Sequence, residues 1–87
     1  MKEFTFQPRW KEELVVTGNG GEFILELPMG VLTAYLPTES TWKTKSPEWA
    51  KNLYSELEKE LRLWCVENKA NLIIDETAGV GINDKWS

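Results

Sequence analysis

Leu14-Val15-Val16-Thr17-Gly18-Asn19-Gly20-Gly21-Glu22-Phe23-Ile24-Leu25-Glu26-Leu27 is the stretch on which the fold turns. Two β-prone runs flank residues that tolerate positive φ, which is the pattern of a hairpin. In the second run Phe23, Leu25 and Leu27 share one face at period two, and Glu22, Ile24 and Glu26 share the other, so one face meets a core and the other is largely wet. Upstream, Phe4 and Phe6 alternate with polar neighbours and predict a first strand at about 3–7, which Pro8 ends by removing a backbone donor. Downstream, Pro28-Met29-Gly30 turns the chain into an apolar strand from Val31 to Leu36, and a meander results.

Thr38 to Lys45 is polar, holds Trp42, and reads as a loop leaving the sheet. Ser46-Pro47-Glu48 then supplies an N-cap, a proline for the first helical position and an acid near the positive end of the dipole. Trp49, Leu53, Leu57, Leu61 and Trp64 recur at spacings of three or four and predict one amphipathic helix over 46–68. Such a helix is about 34 Å long and crosses the whole sheet. Its outer face carries Lys51, Glu56, Glu58, Lys59 and Arg62, with Glu58 and Arg62 an i,i+4 pair. Leu72-Ile73-Ile74 is a solid apolar run, expected as a strand buried on both faces. Gly79-Val80-Gly81-Ile82 forms a final short strand or an extended tail. The fold class is therefore α+β: a mainly antiparallel sheet covered on one face by one long helix, then a buried C-terminal strand, in a single domain over 1–87.

Eighty-seven residues fill one domain and are too few for two cores. The 41% hydrophobic and 28% charged composition is that of a chain that folds rather than one that stays disordered. The net charge of −4, concentrated in the second half, repels phosphate and anionic lipid and attracts basic partners. Five tryptophans are more than so small a core readily hides, which leaves one or two as interface anchors. One cysteine, Cys65, cannot form an intramolecular disulfide, so a reducing compartment is expected. The N-terminal residues lack the apolar segment of a secretion signal, and no stretch approaches the roughly 20 apolar residues that span a bilayer. A cytoplasmic protein is the expectation.

The chain has no histidine, which removes the commonest general base, the usual metal ligand and the histidine-dependent nucleophiles. Cys65 lies at the edge of the helical apolar stripe and reads as packed rather than reactive. Asp75 and Glu76 are adjacent, so on a strand they point to opposite faces and do not act as a catalytic pair. No calcium-loop spacing accompanies them. Gly79-Val80-Gly81 imitates the opening of a dinucleotide fingerprint, but position 84 is Asp where a third Gly belongs. Gly18 to Gly21 lacks the ending of a phosphate loop, and a tight turn explains it. The expectation is a protein that is not an enzyme and needs no cofactor or metal. Basic residues do not interleave with aromatics as a nucleic-acid platform requires, and the helix is not Lys-rich on its polar face, so neither nucleic acid nor membrane is an expected partner.

In size, acidity, lack of catalytic groups and strand-strand-strand-helix-strand order, the chain resembles the small immunity proteins of bacterial contact-dependent and polymorphic toxin systems. The resemblance implies a cytoplasmic protein that binds a toxin domain, often a basic nuclease, and blocks it. The residues themselves suggest an acidic partner-binding surface formed by Glu39, Asp75, Glu76 and Asp84, with Trp42 as its aromatic anchor. The alternative is a structural or assembly protein that forms a homodimer through a sheet edge or an exposed tryptophan patch.

Overall fold

The Gly18–Gly21 turn sets the sheet. In the computed structural model, which describes residues 2–9, 12–28 and 32–82, β2 (Glu13–Gly18) and β3 (Gly21–Glu26) pair antiparallel, with Leu14 opposite Leu25 and Val16 opposite Phe23. These four side chains line the core face, as the period-two pattern requires. β1 (Thr5–Arg9) adds antiparallel to β2, and Phe6 opposite Val16 continues the apolar row. The far side of β3 is shared: β4 (Thr33–Leu36) pairs with it through Glu26 and Tyr35, and β6 (Val80–Ile82) pairs along 23–25. β5 (Asn71–Ile74) lies parallel to β4 and ends the order β1-β2-β3-β4-β5. The fold is α+β, a curled mixed sheet that is mostly antiparallel, with helices packed against its core residues.

The helical region is not the single helix over 46–68. α1 (Glu39–Lys45) occupies the expected loop, a 3₁₀ turn follows at Glu48–Ala50, and α2 (Tyr54–Glu67) spans only about 21 Å. Thr38 caps α1 by accepting from the Thr41 N–H. Pro47 ends α1: it holds Ser46 in an extended conformation, ψ 153, so the chain does not run straight from α1 into the turn at 48–50. The Ala50 carbonyl then accepts from both Leu53 N and Trp42 Nε1, at 3.0 and 3.1 Å, which folds the 3₁₀ turn back onto α1. At the other end α2 closes in a Schellman arrangement: Ala70 N–H donates to Cys65 O and Lys69 N–H to Val66 O. Lys69 takes the left-handed position with φ 57, where glycine is the usual occupant. The Glu58–Arg62 pair forms at 2.7 Å.

Aromatic rings fill the space between sheet and helices. Phe23 is central, with Trp42 edge-on at 5.1 Å, Trp49 at 5.9 Å and Phe4 at 6.2 Å, and Phe6 meets Trp64 at 6.1 Å. Trp49 also explains the glycines of the hairpin turn, which the turn alone does not. A Cβ on Gly20 would lie 2.5 Å from the indole, and one on Gly18 would lie 2.6 Å from it. The Trp49 ring therefore lies directly on the turn backbone, and the glycines make room for it.

β5 departs most from expectation. It is an edge strand rather than a buried one, with Leu72 half-buried against the core and Ile73 and Ile74 exposed at 41% and 40%.

Candidate functional site

Where β5 ends, the chain makes a tight turn built by Asp75. Its Oδ1 accepts from the Thr77 N–H and the Thr77 hydroxyl, both at 2.8 Å, and its carbonyl accepts from Ala78 N at 3.0 Å. This is the local side-chain-to-backbone bonding that makes Asp a turn residue. The backbone and side-chain donors of Thr77 hold the Asp75 carboxyl below its ordinary pKa of 3.8, because they favour the ionised form.

Two bonds tie this turn to neighbouring elements. The Thr41 hydroxyl donates to the Glu76 carbonyl at 3.0 Å, which sets the turn against α1, the helix that Glu39 begins. The Gly79 N–H donates to Glu26 Oε2 at 2.8 Å, which sets its other end against the end of β3. There the hairpin register places Glu13 opposite Glu26 on the face away from the core. Glu12 precedes them with φ 63, held by its carbonyl accepting from Leu27 N. Glu12, Glu13 and Glu26, with Ile24 and the backbone of 79–81, line an open groove of about 440 Å³.

The structure thus brings Glu39, Asp75 and Glu76 onto adjoining segments and adds Glu12, Glu13 and Glu26 beyond them. Burial is the main reason the Tyr54 hydroxyl has a raised pKa, and the carboxylates of Glu58 and Glu39 add to it, so the acidic field reaches the first turns of α2. That hydroxyl donates to the Pro37 carbonyl at 2.7 Å. Glu39, Asp75 and Glu76 take part in neither of the ion pairs Glu48–Lys51 and Glu58–Arg62.

Trp42 does not belong to this surface. It is 0% exposed on α1, packed on Phe23 with its indole N–H bonded to Ala50, and a side chain with no accessible area offers a partner no anchor. The reading of 38–45 as a loop is what misplaced it. Asp84 lies outside the described residues. Glu12, Glu13 and Glu26 were missed, although a register centred on the Gly18–Gly21 turn already sets Glu13 against Glu26. Cys65 is buried on α2, its thiol donating weakly to the Asn71 carbonyl at 3.7 Å, and burial raises its pKa. Among the described residues no three Cys, Asp or Glu side chains converge as metal ligands, and no helix is long and apolar enough to cross a membrane.

Comparison with protein-family models, with curated proteins and with solved structures finds no match.

Proposed function

We propose that the chain is a non-enzymatic, cytoplasmic binding protein of the immunity type, which engages a basic protein partner and blocks it through the acidic surface centred on the 75–79 turn. The observation that carries this reading is the pair of bonds Thr41–Glu76 and Gly79–Glu26, which hold the turn bearing Asp75 and Glu76 between α1 and the Glu26 end of β3. Fixed charges of one sign raise the local field, steer an oppositely charged partner and lose little entropy on docking. Arg and Lys side chains are the complementary groups, and the open groove beside Glu12, Glu13 and Glu26 offers them carboxylates.

The test is recovery of partners from the cells that make the protein, followed by rate measurements with wild type and a folded Glu39, Asp75, Glu76 to Lys variant. The wild type captures a basic protein and suppresses its toxicity when the two are expressed together. The variant associates about 10- to 100-fold more slowly, with a shallower dependence on salt. Equal rates for the two proteins at low salt would refute the acidic interface.

A further inference from the structure

The outer edge of the sheet at β5 carries two exposed isoleucines, Ile73 and Ile74. Asn71 N donates to Leu32 O and Asp75 N to Leu36 O, so the odd-numbered residues turn their amides toward β4. By alternation Leu72 and Ile74 turn theirs to the open edge, where the described residues supply no further strand. No proline or charged residue interrupts Asn71-Leu72-Ile73-Ile74, and these are the features by which edge strands ordinarily discourage pairing.

We propose that β5 pairs antiparallel with β5 of a second copy of this chain, about a two-fold axis at Ile73. With Ile73 facing its own counterpart, Leu72 of each copy opposes Ile74 of the other, and the two amides and two carbonyls on each outer edge meet in four hydrogen bonds. Leu72 and the exposed Ile74 then cover one another across the interface. On the opposite face Asn71 of one copy lies beside Asp75 of the other, an amide beside a carboxylate. The flanks match as well: Lys69 precedes the strand and Asp75-Glu76 follows it, so the antiparallel arrangement sets opposite charges side by side, whereas a parallel one sets like against like. A four-residue strand buries far less than the roughly 800 Å² per partner of a stable complex, so the dimer is weak and forms at high micromolar concentration. The dimer shares Asp75 and Glu76 with the acidic interface but is tested apart from it, by mass and crosslinking rather than by capture of a partner.

Sedimentation equilibrium over a hundredfold range of concentration is the first measurement. The apparent mass rises from the 10.0 kDa of the chain toward twice that value, and Ile73→Lys, which sets two ammonium groups face to face on the axis, stays monomeric. The second measurement fixes the register. Directly opposed residues of a non-hydrogen-bonded pair have Cα atoms about 4.5 Å apart, within the range a disulfide spans. Ile73→Cys therefore crosslinks at least tenfold faster than Ile74→Cys, whose counterpart lies two positions out of register. Mass independent of concentration overturns the proposal, as does dimerisation that Ile73→Lys leaves intact, which points to another surface such as Leu63 and Val66 on α2. Equal crosslinking at 73 and 74 overturns it too. A monomer that accepts a strand peptide of another protein on β5 assigns the edge to a different chain.

Discussion

The two edges of the sheet are built differently. β1 contains Pro8, which presents no N–H, and Arg9 follows it. Its lead-in is clamped: both oxygens of the Glu60 carboxylate accept from Glu3 N, at 3.0 and 2.9 Å, and Oε1 also accepts from Phe4 N at 2.9 Å. Phe4 itself is buried among Phe6, Phe23 and Trp49. β5 has no such clamp. It holds to β4 by a four-residue parallel ladder and to the core mainly through Leu72, leaving Ile73 and Ile74 on the surface. One edge is sealed by side chains that serve the core, and the other keeps apolar residues where the monomer gains little from them. Apolar side chains contribute to stability only by the area they lose to water, so the difference locates where a second chain has most to add.

Truncation tests this contrast most strongly. Phe4→Ala removes a buried ring that touches three others and is expected to cost about 3–5 kcal/mol, a large share of the stability of a domain this small. Leu72→Ala, on a half-buried side chain at the other edge, is expected to cost about 1–2 kcal/mol. Denaturant midpoints of the two variants give the order, and equal losses would mean that the edges are anchored alike.

The Glu60 clamp comes next. Replacing Glu60 with Ala leaves the Glu3 and Phe4 amides to water and removes charge-assisted bonds, with an expected loss of about 1–2 kcal/mol. Because the clamp lies on the β1 side, hydrogen exchange should quicken at Phe4 and along β1 while β5 changes little. Uniform quickening would show that Glu60 supports the whole fold rather than one edge.

How much of this was legible in the sequence follows from which signals are local. The hairpin was readable because its turn and its alternation sit in one stretch, and the sheet face of Phe23 and Leu25 follows from period two. The break at 46–53 was not, because Ser46-Pro47-Glu48 is an equally good helix start taken alone. What decides against it is a tertiary bond, from the Trp42 indole to the Ala50 carbonyl, eight residues away. The same bond hides Trp42, so the error in the helix carried the error in the anchor with it. β5 was misread for a related reason: an unbroken apolar run has no period, and periodicity alone cannot distinguish a central strand from an edge that leaves two isoleucines half outside. The acidic turn was legible at Asp75 and Glu76. Its neighbours on β2 and β3 required the strand register, which a pattern of single residues does not contain.

The entry into β5 offers a smaller and opposite effect. Lys69 holds φ 57, a conformation that costs a residue with a Cβ about 1 kcal/mol and costs glycine little. Lys69→Gly should therefore stabilise the Schellman closure by up to about 1 kcal/mol, reduced somewhat by the added freedom of the unfolded chain. A rise in the denaturant midpoint checks it, and Lys69→Ala should show no such gain. The substitution also removes the one cation at the start of β5, so the same variant should weaken self-association slightly at low salt if the antiparallel edge pairing is correct.

The smallest effect lies at the exit from β5. Asp75 has a folded pKa below its ordinary 3.8 because it accepts from the Thr77 N–H and hydroxyl. A depressed carboxylate contributes stability above the unfolded value, and that contribution is lost as the pH falls from about 4 through the folded pKa. The group is exposed, so the change is small beside the summed titration of the other acids, and a difference between two proteins is needed to see it. Asp75→Asn keeps an oxygen acceptor for the turn but does not titrate. Midpoints measured from about pH 5 to about pH 2 should therefore fall slightly more steeply for the wild type than for this variant, the gap opening below about pH 4. Parallel curves would show that the Thr77 bonds hold the turn equally well with a neutral acceptor, and that the ionised carboxylate contributes nothing to the closing of the β5 edge.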